Sequence, residues 1–386
     1  MFMPALAWRY APFYAGAFLT LGTLLPFWPL WLESRGLTAV EIGQLLAVFS
    51  WSKVVATPLI GQMSDRSGRS KAALTIVAGA SLLCYLAFLP AAGYWPLLIL
   101  QLLAGIAFQA MIPLGENNTM QAVLRDGLDY GRIRLCGSLA FMAGTLLCGL
   151  LLREAGTPWV LYLVIAGLAA TLLACLQLPS DIRRRPQGRF WGGFRQLLRL
   201  PAFVVFLAAG ALLQGSHALY YGFSSLHWQT AGLSATTIGL LWAEGVLAEV
   251  LLFAFAGRAL ATWSTARLLV VAGLCGILRW GVLGSTTALL PLLAAQLLHA
   301  GTFGAAHLAA VHYIAKVAQP QGLGGTAQSL YAAVAGGLVS GLLLLASGPL
   351  YASLGGAGFF VMAGVSASGL LLTGLFQRLA GGIAAR

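Results

Sequence analysis

The 386 residues are 59% hydrophobic and only 8% charged, with a net charge of +12. So little polar surface cannot cover a water-soluble domain of this size, which excludes a soluble enzyme and leaves a chain solvated by lipid. The positive charge is therefore read first through membrane topology and not as a nucleic-acid footprint.

Twelve apolar stretches of about 17 to 25 residues can be drawn, each able to cross a ~30 Å hydrocarbon core as a helix. They lie near 11–32, 41–62, 72–90, 96–118, 134–152, 158–178, 201–226, 237–256, 267–285, 289–313, 326–346 and 357–376. Their apolar runs are continuous, where the strands of a barrel would alternate. The first stretch has no A-x-A cleavage site and is followed by eleven others, so it reads as a span and not as a signal peptide.

The first span ends in Pro26, Phe27, Trp28, Pro29, Leu30 and Trp31, which leaves open a gating hinge and a kinked helix with an interfacial aromatic belt. The second carries Lys53 about 12 residues from its outer end, near mid-membrane at 1.5 Å per residue. Ser50, Lys53, Thr57 and Gly61 share one helical stripe. Gln109 and Glu116 form a polar stripe on the fourth span. Glu116, nearer the cytoplasmic end, suits a gate or an ion pair with Arg134 on the fifth. Residues 179–200 are the longest polar interruption and divide the chain into bundles 1–178 and 201–386. Their cluster Arg183, Arg184, Arg185 precedes Phe190, Trp191, Phe194, Leu197 and Leu198, a pattern that fits a linker with a helix lying on the inner leaflet.

Gln214, His217, Tyr221 and Trp228 recur along the seventh span and predict an aromatic, hydrogen-bonding face. On the eighth, Trp242, Gly245 and Glu249 share a stripe. Glu244 and Arg279 of the ninth span match in depth at ~10 Å from the outer surface, and Arg279 could also reach Glu249. His299 of the tenth lies near mid-membrane, whereas His227, His307 and His312 read as interfacial. Gly336, Gly337 and Gly341 on the eleventh would permit close, sliding helix contacts. The five cysteines show no CxxC spacing and no metal pattern, so neither a disulfide nor a metal site is expected.

Residues 27–61 align without a gap on residues 223–257, with nine identities in the twenty-six positions from Gly36 to Gly61. The pairing sets Lys53 opposite Glu249 and relates the second span to the eighth in the same orientation, as in parallel six-helix repeats. With the N-terminus inside, 18 of the 22 basic residues fall in cytoplasmic segments, so both termini are expected to be cytoplasmic. Lys53 and Arg279 are then the two cations left inside the membrane. An ionisable group at that depth is a functional candidate because its burial is costly.

The run GQMSDRSGRSK from Gly61 to Lys71 matches G-x-x-x-D-R-x-G-R-x-K, and over almost its whole length the chain resembles the major facilitator superfamily. Within the run, Gly61 would permit close helix contact, Gly68 a tight turn, and Asp65 a pairing with a basic residue or helix N-terminus. The resemblance assigns Asp65, Arg66 and Arg69 to a cytoplasmic latch of the transport cycle; the copy at Gly257 and Arg258 lacks the aspartate. The runs DYGRIR from Asp129 with Gly137 and Ser138, QGSHALYYGF from Gln214, and RWG from Arg279 resemble the phenylpropionate permease branch, itself similar to lactose permease-type proton symporters. Those symporters use a glutamate on the eighth span, an arginine on the ninth and a histidine on the tenth. Glu249 or Glu244, Arg279 and His299 repeat these types, but the family's glutamate three residues after the histidine is Thr302 here.

The resulting expectation is an all-α inner-membrane permease of twelve helices in two six-helix bundles, working by alternating access as a monomer in the lipid bilayer. Its coupling ion would be the proton, with no cofactor, metal or nucleic acid. Lys53 would bind the carboxylate of a small aromatic acid, with Gln109, Gln214, His217, Tyr221 and Trp242 as further substrate contacts. Glu249 would carry the proton under the influence of Arg279 and His299. Open alternatives are proton symport of a neutral sugar or nucleoside, drug efflux, a transporter-like sensor or assembly factor, and a purely structural role for the buried charges as ion pairs.

Overall fold

The computed structural model describes residues 7–67, 69–179 and 190–384, all helical or in connecting turns. Ten helices are each long and apolar enough to cross a membrane once, and an eleventh stretch, Gly324–Ala380, has 57 residues and divides at Gly355–Ala357 into two more. Twelve spans result, as the hydropathy requires. Their bounds run past the apolar windows: Ala39–Ser67, Tyr94–Asp126 and Tyr130–Ala155 each extend several residues beyond the predicted limits. Polar residues near the surface continue a helix already nucleated in lipid.

The chain forms two compact units. One holds the first six spans together with Trp228–Ala243, and the other holds the described residues from Phe190 to His227 and from Glu244 onward. The aligned repeats begin with the same turn in both. Gly36 and Gly232 have φ of +84° and +90°, a conformation that glycine adopts without strain. Leu37 N donates to Leu32 O at 3.4 Å, and Leu233 N to Trp228 O at 3.0 Å, closing a Schellman-type cap in each copy. The next helix opens on Thr38, whose Oγ1 accepts from Glu41 N while Glu41 Oε2 accepts from Thr38 N, and on Ser234, whose Oγ accepts from Thr237 N.

In the first unit, helix 11–34 is seated by glycines that meet backbone. A Cβ on Gly22 would run into the Phe141 carbonyl, and one on Gly144 would lie 2.7 Å from that of Leu19. Gly16 and Gly167 approach Thr171 and Thr20 reciprocally, meeting their hydroxyls first and their backbone nitrogens at 2.8 and 3.2 Å. Trp228–Ala243 joins this unit by the same device, with Gly149 against the Ala235 carbonyl and Gly239 against that of Thr145. Dispersion between backbones replaces the hydrophobic drive that lipid cannot supply. Pro26 and Pro29 leave Ala11–Ser34 continuous, and Trp28 and Trp31 are buried and stacked at 4.5 Å beside Tyr85 and Phe88. The tryptophans are therefore internal packing and not a headgroup-level belt.

The second unit is less regular. Its first spanning helix breaks between Gly215 and Ala218, and π-turns interrupt three others at Leu252–Ala256, Ala300–Gly304 and Val334–Val339. The Gly336–Gly337 pair thus lies in a widened turn, not in a straight sliding face. Gly61 also departs from expectation, since a Cβ there would meet nothing within 4 Å. Asp65 and Arg66 lie outside the residues whose side chains are described, and Gly68 and the Arg183–Arg185 cluster lie outside the described residues. Lys71, at the end of that motif, donates to the carbonyls of Leu176 and Leu178 at 3.1 and 2.5 Å and so caps helix 158–177. The linker helix Phe190–Leu198 buries Leu197 in the core of the second unit, and Gln196 bonds Gln321 at 2.9 Å.

Gly22→Ala is expected to lower stability by about 1–3 kcal/mol through overpacking against backbone. Gly61→Ala should be neutral to within about 0.5 kcal/mol. Thermal unfolding of the two purified proteins in one detergent checks the contrast.

Candidate functional site

In the first unit the charged residues form a short series. Arg134 Nε lies 3.7 Å from Glu116 Oε1, and Tyr130 Oη donates to the same oxygen at 3.5 Å. The Arg134 guanidinium sits over the Phe18 ring at 4.0 Å, a cation–π contact that holds it in an apolar setting. Glu116 is also the carboxylate whose field reaches Lys53, and no ion pair to Lys53 is present among the described residues. Gln109 donates to the carbonyl of Phe49 at 3.3 Å, and Thr57 to that of Gln109 at 3.4 Å. These bonds stitch the fourth span to the second one turn either side of Lys53. Gln109 is thereby a positioning contact, while Lys53, Glu116 and Arg134 sum to one excess positive charge.

The second unit is organised around Arg279. Its guanidinium is fully buried and stays charged, because arginine does not release its proton in proteins. Nη1 donates to His299 Nδ1 at 3.0 Å and to Thr302 Oγ1 at 3.3 Å, and Nη2 to Gln296 Oε1 at 2.8 Å. The rings of Tyr220 and Trp280 lie 4.5 and 4.8 Å from its Cζ. Among the described residues Arg279 makes no ion pair with Glu244, so the match in depth does not translate into contact. One oxygen of Glu244 is instead buried without a hydrogen-bond partner.

The Arg279 contact fixes the tautomer of His299. Arg279 can only donate, so His299 Nδ1 accepts and the proton sits on Nε2, which faces Glu249 Oε2 at 3.9 Å. That distance is too long for a hydrogen bond and short enough for direct electrostatic coupling. His217 Nδ1 donates to the Gln214 carbonyl at 3.1 Å, and His217 Nε2 lies 3.1 Å from Thr302 Oγ1, which is also 3.2 Å from the His299 carbonyl. Arg279, His299 and Glu249 thus form a series of cation, neutral ring and carboxylate. Thr302 branches from it to His217.

The break after Gly215 places His217 here, and Ser216 accepts from Trp280 Nε1 at 3.0 Å, with Ser366 accepting from the same group at 3.1 Å. The π-turn Ala300–Gly304 begins directly after His299 and contains Thr302. Gly245, one turn before Glu249, lets the eighth span lie close, since a Cβ there would be 3.5 Å from His299 and 3.7 Å from Gln296 Oε1. His217 and Tyr221 stack at 5.5 Å as the helical spacing implies. The rest of that face divides: Gln214 contributes its backbone carbonyl, and Trp228 and Trp242 belong to the other unit. Two members of the cluster went unread in the sequence, Gln296 and Tyr220, whose Oη donates to Gln296 Oε1 at 3.0 Å. The readable signal was a lone glutamine in LLAAQLLH, three residues before His299. Among the described residues no group of three or more His, Cys, Asp or Glu could hold a metal, and the five cysteines are free thiols.

Residues 7–362 match the MFS_1 like family. The chain is 37% identical over 361 residues to a protein of Escherichia coli K12 described as a probable 3-phenylpropionic acid transporter, covering 92% of this chain and 94% of that one. It is 26% identical over 343 residues to a maltose permease of Geobacillus stearothermophilus, covering 88% and 86%. A crystal structure of the nucleoside transporter NupG superposes with a TM-score of 0.83 at 14% identity, over 97% of this chain and 99% of that one; at that identity the likeness is one of fold.

Thr302→Val should cost about 1–3 kcal/mol, because it leaves Arg279 Nη1 and His217 Nε2 each short of a partner in a buried site. Thr302→Ser should cost under about 1 kcal/mol. Unfolding midpoints in detergent micelles distinguish the two.

Proposed function

The chain belongs to the MFS_1 like family, and from that premise we propose that it imports a small aromatic carboxylate together with a proton, by alternating access and as a monomer. It is a multi-pass secondary transporter of the bacterial inner membrane and not an enzyme. The observation that carries the coupling is the series Arg279, His299, Glu249 in the second unit. A permanent cation and a titratable carboxylate face opposite nitrogens of one neutral imidazole. An ionised Glu249 balances Arg279, and a protonated one does not.

The first unit supplies the complementary half of the reading. Lys53 and Arg134 against Glu116 leave one surplus positive charge, and Lys53, with no ion-pair partner among the described residues, is the group that meets the substrate carboxylate. A charged group at mid-membrane is expensive. A proton on Glu249 and an anion on Lys53 cancel, so the doubly loaded carrier reorients with the same net charge as the empty one. Loading either site alone changes that net charge by one, and this links the two fluxes. The aromatic acid class is supported by the relative that shares most of its length with this chain, and by the stacked faces of His217 and Tyr221.

In proteoliposomes, uptake of labelled 3-phenylpropionate should rise as the outside is acidified relative to the lumen. Glu249→Gln should abolish accumulation against a gradient while retaining equilibrium exchange, because exchange requires no proton release. Lys53→Ala should weaken apparent affinity by about ten- to hundredfold, the worth of a charge-assisted hydrogen bond. Accumulation that persists undiminished in Glu249→Gln removes the proton assignment, and counterflow of a labelled nucleoside or maltose in place of the acid removes the substrate class.

A further inference from the structure

Two buried donors at the Arg279 cluster have no acceptor among the described residues: Arg279 Nε and the amide nitrogen Nε2 of Gln296. They belong to one assembly, because Arg279 Nη2 donates to Gln296 Oε1 at 2.8 Å. The same oxygen accepts from Tyr220 Oη at 3.0 Å, which fixes the orientation of the amide and leaves Nε2 with two N–H groups to place. Both side chains are fully buried. Every group that Arg279 touches is neutral, whether imidazole, hydroxyl, carboxamide or aromatic ring. Buried donors are almost always satisfied in folded proteins. Unmet ones beside a cation call for an acceptor that carries negative charge.

We propose that Arg279 and Gln296 form a carboxylate-binding site for the transported acid, made available when Glu249 carries the proton. This rests on the symport reading above and adds the group that recognises the acid's charge in the second unit. A carboxylate offers two oxygens and about four acceptor positions, enough to meet both the Arg279 and the Gln296 donors. The titratable groups around the site are Glu249 and Glu244 on the eighth span, His217, Tyr220 and Tyr221 on the seventh, and His299 on the tenth. His299 is held neutral by Arg279, which donates to its Nδ1, and among the described residues Glu244 makes no ion pair with Arg279. Glu249 is the acid that the network reaches, through His299 Nε2 at 3.9 Å. An ionised Glu249 supplies the negative field that Arg279 requires; a protonated one hands that role to the substrate.

The test compares binding of 3-phenylpropionate with that of its uncharged amide, by titration calorimetry on full-length protein in nanodiscs, at about pH 6 and about pH 8. The wild type should prefer the acid by about tenfold or more at the lower pH and by less at the higher. Gln296→Glu, which sets a resident carboxylate beside Arg279 in the same volume, should bring acid and amide to within about twofold of each other. Glu249→Gln should keep the preference at both pH values. A preference that survives in Gln296→Glu but collapses in Lys53→Ala overturns this site and leaves the symport reading standing. A wild type that binds neither probe overturns both.

Discussion

A guanidinium cannot be neutralised by giving up its proton, so the surroundings of Arg279 have to be built from acceptors. A ring nitrogen, a hydroxyl and an amide oxygen converge on it from the tenth span, and two aromatic faces close over it. Each acceptor is thereby oriented in turn. The Arg279 bond to His299 dictates which imidazole nitrogen is left to face Glu249, and the Arg279 bond to Thr302 leaves the hydroxyl between His217 Nε2 and the His299 carbonyl. The tautomer of His299 and the direction of the hydrogen bonds to Arg279 both follow from one side chain that can only donate.

The two units solve the packing problem differently. In the first, glycines admit backbone to backbone between helix 11–34 and its neighbours, an arrangement with little room for adjustment. In the second, glycines mostly meet side chains, as Gly210 meets Tyr331, Gly215 meets Leu343 and Gly276 meets Ser366. All three described π-turns also lie there. Such turns are frequent at functional sites because the widened backbone re-aims side chains. One of them carries Thr302 and another starts three residues after Glu249. Local regularity has been given up where the buried charges had to be brought together.

Much of this was legible in the chain. Hydropathy marked the twelve spans because lipid demands internally satisfied backbone, and the duplication read from Gly36 and Gly232 reappears as two copies of one capping turn. The residue types of the second site were legible too, since a charge inside a span is conspicuous. The contacts were less so. Depth along a rod says nothing about rotation around it, which is why Glu244 matched Arg279 on paper while Gln296, His299 and Thr302 hold it in the structure. Gln296 escaped notice because a lone amide in an apolar run resembles tolerated packing. The role of Gly61 was misread because a small residue shows where close approach is permitted, not where it happens. The π-turns leave no trace in periodicity over so few residues.

The π-turn at Ala300–Gly304 also sets the helical phase of everything inward of it. Winding the same residues as plain α-turns would leave an equally apolar helix of slightly greater length. It would also rotate Ala305–Val317 by about 100° relative to His299. The buried row Ala305, Ala306, Ala309, Ala310 and Tyr313 would then face away from the core it now fills. The inner half of the span therefore keeps its packing only while this turn stays wide, a restraint that hydropathy does not register.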